Sequence, residues 1–414
     1  MQSVDYFKLV EEASVKLQGV AIKSPLEYCE RLSQKYQAQI YLKREDLQPV
    51  RSFKIRGAYN LIASLNNEEK NRGVVCASAG NHAQGVAYSC SKLEIKGVIF
   101  MPIVTPNQKI EKVKKFGGNY VEIVLVGDTY DEASSESKQY CRKNNMVYVH
   151  PFDDDRTIAG QGVVAKEIFE ELKPDFILSC VGGGGLIAGM ASFTKGVSPE
   201  TKIYGVEPEG AASMYESLKM GSVVTLSALD TFVDGAAVKT VGQKTFEICT
   251  AKVEQIIVVP EGQVCFNMVE LYQNEGIIAE PAGALSVSGL DYIQSKIKGK
   301  IVVCIVSGGN NDISRYPEII ERSLVWQGKK HYFIVEFAQK PGQLRKFVEN
   351  VLGSGDDISR FEYIKKTNKE KGAALVGVEL SDKNNLLPLL DRFHNSGIDF
   401  RKIEKDDLLY QFII

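Results

Sequence analysis

The sequence predicts an α/β protein in two lobes, each a twisted and mostly parallel sheet covered by helices, followed by a small ferredoxin-like βαββαβ module. Three observations predict it. Short apolar runs alternate with helical patterns from about residue 40 to 320, the pattern of successive βαβ units. Three of those runs end in glycine-rich turns: Val74-Val-Cys-Ala77 before Ser78-Ala-Gly-Asn-His-Ala-Gln-Gly85, Phe176–Val181 before Gly182-Gly-Gly-Gly-Leu186, and Ile301–Val306 before Ser307-Gly-Gly-Asn310. Ligands in open α/β sheets bind outside the carboxyl ends of the strands, so three such turns imply one shared cleft. Beyond residue 320 the texture changes to strand, helix, two strands, helix and strand.

Composition narrows the class further. The chain has 414 residues, enough for two or three domains at ~100–200 residues each. Its 50 basic and 52 acidic residues leave a net charge of −2, so no broad basic face is expected, and neither nucleic acid nor an anionic membrane is an expected partner. The N-terminus mixes Asp5, Lys8, Glu11, Glu12 and Lys16 into its apolar positions and reads as an amphipathic helix, not a signal peptide. No apolar run approaches the ~18 residues of a membrane span. The eight cysteines include no Cys-x-x-Cys pair, and the four histidines (His82, His150, His331, His394) are isolated from one another. No metal site and a reducing cytoplasm are the expectations.

In chain order, the first candidate is Lys54, which lies between Arg51 and Arg56 at an incipient helix start. Most lysines are solvated surface residues. Cationic neighbours and burial would instead lower its pKa and leave an amine able to form a Schiff base. Ser78–Gly85 admits two readings. Ser78 or Asn81 caps a helix, or the turn Ser78, Ala79, Gly80, Asn81 and His82 offers N–H groups to a carboxylate. The run Gly182, Gly183, Gly184 and Gly185 before Leu186 is costly in entropy, and makes sense if N–H groups at a helix start close on a phosphate. A dinucleotide-dependent oxidoreductase competes here. Gly183, Gly185 and Ala188 fit G-x-G-x-x-G/A, and Glu207 stands at about the ~20-residue spacing of a ribose-binding acid. That reading assigns no work to Lys54, Ser78–Gly85 or Ser307–Asn310. Ser307 either caps a helix or places a hydroxyl at a heteroaromatic nitrogen. An amine, a phosphate cup, a carboxylate cup and such a hydroxyl are what pyridoxal 5′-phosphate and an amino-acid substrate require.

Ser52-Phe-Lys-Ile-Arg-Gly57, Ser78–Gly85, Gly182–Leu186, Glu280-Pro-Ala-Gly283 and Ser307–Asn310 together resemble the threonine deaminases (threonine dehydratases), lyases of fold type II that use pyridoxal phosphate. The resemblance spans essentially the whole chain. It implies that Lys54 carries the cofactor with Phe53 packed on its ring, and that Asn81 meets the ring hydroxyl. It further places Gly182–Leu186 at the phosphate, Ser307 at the ring nitrogen, and Ser78 with its neighbours through His82 at the substrate carboxylate. Ser78 joins Lys54 as a catalytic residue, Glu280 counts among the cofactor-binding residues, and Asp234-Gly235 lines the cleft with it. The implied reaction takes L-threonine to 2-oxobutanoate and ammonia, with L-serine to pyruvate as a side activity, as the committed step of isoleucine biosynthesis. A homotetramer is implied as well. A serine dehydratase or racemase type is the nearest alternative. Metal-dependent relatives place an acid at Glu207, but Ser213 stands where a second acid is expected, so no metal is expected here. A catalytically dead amino-acid sensor is a third class, disfavoured by the presence of Lys54 and the tetraglycine.

The terminal module resembles the ACT-like regulatory domain of the biosynthetic branch through Phe337-Ala-Gln-Lys-Pro-Gly-Gln-Leu344 and Ile358-Ser-Arg-Phe-Glu-Tyr363. Where the family more often has Phe-Pro, this chain has Phe337-Ala338. The implied effector is isoleucine, with valine as a second candidate. Phe337, Leu344, Phe361 and Leu375 are expected to form its apolar pocket beside the Pro341-Gly342 turn, against the plainer expectation of a passive dimerisation module. The expected boundaries are a catalytic part at 1–325 with a smaller lobe at about 56–153 inserted in the larger, a linker at 326–330, and the module at 331–414, with strands at Ile358–Lys366 and Ala373–Leu380 around the turn Thr367–Gly372.

Overall fold

The computed structural model describes residues 4–365, 369–404 and 407–413. The chain forms two compact units that divide between Asn311 and Asp312. Within the first unit the strands are β1 (Leu26–Tyr28), β2 (Gln39–Arg44), β3 (Val74–Ala77), β4 (Gly97–Met101), β5 (Val121–Leu125), β6 (Val147–Tyr148), β7 (Phe176–Cys180), β8 (Lys202–Pro208), β9 (Gln255–Val259) and β10 (Ile301–Val306). They build a six-stranded sheet in the order β1-β2-β10-β7-β8-β9 and a four-stranded sheet in the order β5-β4-β3-β6. Every pairing is parallel except β1 with β2. The central strands β3, β4 and β7 are buried along their whole length, as parallel strands covered on both faces must be. The smaller sheet is an insertion, because the chain leaves the larger sheet after β2 and rejoins it at β7.

Two helices make that crossing, Lys54–Ala63 on the way out and Asp155–Phe169 on the way back. They pack very closely where Gly57 meets Gly160: a Cβ on Gly160 would lie 2.6 Å from the Arg56 carbonyl oxygen. Beside this crossing sits a buried network of four charged side chains. The Arg56 guanidinium donates to Glu45 at 2.8 Å through Nε and again through an Nη, and to Glu167 at 2.6 and 2.8 Å. Lys43 Nζ reaches Glu167 at 2.7 Å and the Ser24 carbonyl at 2.6 Å. Burial alone would raise the Glu45 carboxyl, but Arg56 outweighs it and holds the group below its ordinary value. Two cations and two anions thus neutralise one another, with the planar guanidinium bridging both carboxylates.

The second unit starts with the helix Tyr316–Trp326 and continues through β11 (Lys330–Ala338), the helix Gln343–Val351, β12 (Asp357–Tyr363), β13 (Lys371–Glu379), the helix Leu386–Ser396 and β14 (Asp399–Lys402). Its sheet is wholly antiparallel in the order β12-β13-β11-β14, which is the ferredoxin-like arrangement. Phe333, Val335, Phe337, Phe347, Val376, Val378 and Phe393 fill the space between sheet and helices. The expected linker at 326–330 shrinks to 327–329. Trp326 ends a helix and Lys330 begins β11, and Glu321 accepts hydrogen bonds from both Lys330 and Tyr332. This anchors the helix Tyr316–Trp326 to the terminal sheet, within the compact unit that begins at Asp312. Of the expected strand Ile358–Lys366 and turn Thr367–Gly372, Lys366, Thr367 and Asn368 lie outside the described residues; β12 ends at Tyr363 and β13 starts at Lys371. No helix among the described residues is long and apolar enough to cross a membrane.

Removing one partner from a buried ion cluster leaves an uncompensated charge, which costs about 3–5 kcal/mol. Arg56→Met should lower the unfolding free energy in urea by about that amount at pH 7. Replacing Lys23, whose pair with Glu170 is solvent-exposed, should cost less than about 1 kcal/mol. Glu45 is more acidic folded than unfolded, so its contribution is present above the unfolded carboxyl pKa and lost as the pH falls through the folded value. The gap between Arg56→Met and wild type should therefore narrow in acid.

Candidate active site

The glycine turns after β3, β7 and β10 converge, as strand-end geometry implies. Lys54 opens its helix with Phe53 as the preceding residue. The approach is fixed by the turn after β10: Phe53 N donates to the Ser307 carbonyl at 3.1 Å and Gly309 N to the Arg51 carbonyl at 2.9 Å. Arg51 holds φ at +58°, a left-handed conformation uncommon for a side chain of its size. The Lys54 amine lies 3.3 Å from the Pro151 carbonyl and 5.2 Å from the centre of the Phe53 ring. Burial lowers its pKa to about 8, against the opposing pull of Cys180 and Glu280. The expected help from neighbouring cations is absent. Arg56 is spent in the buried network and Arg51 is exposed, so desolvation alone produces the shift.

After β3, the Ser78 hydroxyl accepts from Gly80 N at 3.2 Å, and the helix Asn81–Leu93 starts with no side-chain cap. Neither Ser78 nor Asn81 therefore plays the ordinary capping role, and Ser78, Ala79, Gly80 and Asn81 remain partly exposed. Asn81 bonds across the cleft to Glu280 at 2.6 Å and to Asn310 at 2.7 Å. Burial, reinforced by Asp234, pushes the Glu280 carboxyl up to about 7. His82 belongs to a different environment. Its buried ring pairs with the Val149 carbonyl at 2.9 Å, and burial holds its pKa near 3. The neutral ring must carry its proton on Nε2 to meet that carbonyl, so only the His82 backbone remains for a substrate carboxylate.

After β7, the glycine run starts the helix Gly185–Val197. Packing gives these glycines a structural reason beside the expected functional one. A Cβ on Gly183 would lie 2.2 Å from the Phe152 ring, and Gly184 holds φ at +91°. The same features form a cradle: the first-turn N–H groups of a helix have no intrahelical acceptor and attract anions. The Ser307 hydroxyl donates to the Ala282 carbonyl at 3.2 Å and also meets the Cys180 thiol. Across the cleft mouth, Lys109 pairs with Asp234 at 2.8 Å.

The segment from Val149 to Asp154 is a part of the site that sequence reasoning missed. Val149 holds His82, Pro151 holds the Lys54 amine, and Phe152 covers Gly183. Asp153 accepts from the backbone N–H groups of Gln243, Lys244 and Thr245 at 2.9–3.2 Å, capping the helix Gln243–Lys252. His150, kept neutral near pKa 4 chiefly by burial, accepts from Asp153 N at 2.7 Å. One signal was available, the run His150-Pro-Phe-Asp-Asp154 directly after a short strand and carrying one of only four histidines. Glu207 does not face the glycine run as a ribose ligand would. Its buried carboxyl accepts from Met214 N at 2.9 Å and Tyr215 N at 2.8 Å, and burial raises it to about 8 although these N–H groups oppose the shift.

A separate cavity of about 230 Å³ lies in the second unit, lined by Phe337, Pro341, Gly342, Leu344, Phe361 and Tyr363 among others. Gly342 holds φ at +85° and starts the helix Gln343–Val351. Leu375 is not part of it. It alternates with the core residues Ala374 and Val376 and so points to the other face of β13.

A lowered lysine amine, an anion-attracting glycine cradle and an uncapped helix start within one cleft fit pyridoxal phosphate and a carboxylate. Residues 17–308 match the family "pyridoxal-phosphate dependent enzyme", so the chain is an enzyme of that class and uses this cofactor. Residues 321–413 match the C-terminal regulatory domain of threonine dehydratase. A biosynthetic L-threonine dehydratase of Halalkalibacterium halodurans is 50% identical over 404 residues, 97% of each chain. Among solved structures, the processed form of threonine deaminase isoform 2 from Solanum lycopersicum has a TM-score of 0.75 at 42% identity, covering 78% of this chain and 94% of that one. Serine racemase from Dictyostelium discoideum has a TM-score of 0.69 at 32% identity, covering 74% and 99%. The chain belongs to the biosynthetic L-threonine dehydratase family, a family of lyases.

Adding a methyl group at Gly183 forces the Phe152 ring aside, and overpacking costs about 1–3 kcal/mol. Gly183→Ala should weaken pyridoxal phosphate binding by about tenfold or more, read from a spectroscopic titration. Gly183→Ala combined with Phe152→Ala should recover part of that loss.

Proposed function

We propose that the chain converts L-threonine to 2-oxobutanoate and ammonia, with L-serine giving pyruvate, and that isoleucine inhibits it through the second unit. The observation that carries the reading is the Lys54 amine, which burial brings to a pKa of about 8 within the cleft that holds the glycine cradle. Pyridoxal phosphate, when bound, supplies the electron sink for the bond broken at the substrate α-carbon. Lys54 would hold the cofactor and, as a free amine, would accept the α-proton of the substrate. A base whose pKa lies near the working pH suits both tasks. The N–H groups of Gly182–Leu186 would hold the phosphate and Phe53 would flank the ring. Asn81 would meet the ring oxygen, and Ser307 would offer the ring nitrogen a hydroxyl where an acid would keep it protonated, an arrangement suited to elimination of the β-hydroxyl and not to transamination. The turn Ser78–Asn81 and the His82 backbone bind the substrate carboxylate, and Ser78 holds Gly80 in place for that task. The α-proton and the β-hydroxyl are lost together as one water, and the released enamine becomes an imine that takes up one water to give the keto acid and ammonia. The match of residues 321–413 to a threonine dehydratase regulatory domain favours this reading over a racemase or a serine-specific lyase.

Two experiments test it. Lys54→Ala should abolish threonine-dependent 2-oxobutanoate formation, and borohydride should fix the cofactor to the Lys54 peptide of wild type alone. Full turnover in Lys54→Ala would refute the mechanism. Isoleucine shares the β-branch of threonine but lacks its hydroxyl, and the cavity bordered by Phe337, Leu344 and Phe361 suits such a side chain. Its effect is bounded by its differential affinity for two states of the enzyme. Leu344→Arg should keep threonine turnover and lose the isoleucine response, whereas undiminished inhibition would place the effector elsewhere.

A further inference from the structure

The Asn81 amide is held at both ends, and its orientation traces back to a backbone carbonyl that cannot turn over. Asn310 Nδ2 donates to the Val50 carbonyl at 2.8 Å, which identifies that end of Asn310 as nitrogen. Its other hydrogen goes to Asn81 Oδ1 at 2.7 Å. Asn81 Nδ2 in turn donates one hydrogen to Glu280 Oε1 at 2.6 Å, while Asn310 N donates to Glu280 Oε2 at 3.2 Å. Reversing the Asn81 amide would set nitrogen against nitrogen at Asn310 and oxygen against oxygen at Glu280. The second hydrogen on Asn81 Nδ2 is what the side chain presents to the cleft.

We propose that Glu280 and Asn310 are positioning residues, which lock the Asn81 amide as a donor toward the ring oxygen of bound pyridoxal phosphate and so favour the anionic form of that oxygen. The inference rests on the reading above that Asn81 meets this oxygen. Neither residue touches the reacting atoms; each acts through Asn81. A neutral phenol presents a proton and would call for an acceptor, whereas a fixed N–H donor favours the oxygen without its proton. Losing the donor makes the oxygen hold a proton more tightly. A hydrogen bond to a charged group of ordinary strength then corresponds to about one pH unit.

The test uses the holoenzyme and follows the visible absorption of bound cofactor against pH. Asn81→Ala should move the midpoint up by about one unit. Glu280→Gln should also move it up, because one of the two N–H groups at residue 280 then meets an amide NH2 and Asn81 loses its fixed orientation. Glu280→Gln added to Asn81→Ala should raise the midpoint no further. Asn310→Asp, which sets an oxygen against the Val50 carbonyl, should shift it upward too and carries the test if Glu280→Gln folds poorly. A downward shift in Glu280→Gln would overturn the inference, because loss of a nearby negative charge acting directly on the oxygen has that sign. So would an unchanged midpoint in both Glu280→Gln and Asn310→Asp, or additive shifts in the double variant. No shift in Asn81→Ala would sink the assignment of Asn81 itself, and the inference with it.

Discussion

A reactive lysine has to be buried without being neutralised by a carboxylate, and the architecture of the first unit depends on meeting that constraint. Two residues beyond Lys54, the Arg56 guanidinium is turned away into a network with Lys43, Glu45 and Glu167. These four buried groups balance one another and link the Lys54 helix to the helix Asp155–Phe169. The charge cluster therefore orients Lys54 without acting on its pKa. Desolvation alone lowers that pKa, leaving an amine that titrates near 8. A carboxylate paired directly with Lys54 would have had the opposite effect.

The segment Val149–Asp154 joins the inserted sheet to the rest of the site. In six residues it receives the His82 ring, accepts the Lys54 amine, seats an aromatic ring on Gly183 and caps the helix that begins at Gln243. Two neutral histidines take part, and burial keeps both uncharged. Protonating either would place a cation near Lys54 in a low-dielectric site, which is costly. The glycine run then has two uses that do not compete. Absence of side chains lets Phe152 close over it, and its N–H groups stand at a helix start, which attracts anions.

The second unit follows a simpler rule. Alternation along β11 and β13 sends Phe333, Val335, Phe337, Val376 and Val378 to one face, where they meet Phe347 and Phe393. The cavity at Pro341-Gly342 opens where β11 ends and the next helix starts under a left-handed glycine. The same alternation carries Leu375 away from that cavity.

The sequence by itself determined the fold class and the βαββαβ order of the terminal module, and it displayed the five motifs that drew attention to the cleft. Those features are local: strand and helix periodicity, glycine at strand ends, and a lysine before a helix all depend on near neighbours in the chain. Tertiary structure decided what depended on distant partners. Arg56 looked like a cation acting on Lys54 until Glu45 and Glu167, 11 and 111 residues away, claimed it. Glu207 matched a ribose-binding spacing, but the start of the next helix had already taken both its oxygens. His82 sat within the carboxylate turn by sequence, yet its ring is committed to Val149, and Asn81 gained its orientation from Glu280 and Asn310, about 200 positions later in the chain. Hydrogen bonds are short-ranged and directional, so the partner a polar side chain takes is settled only when folding brings distant segments within about 3 Å of each other.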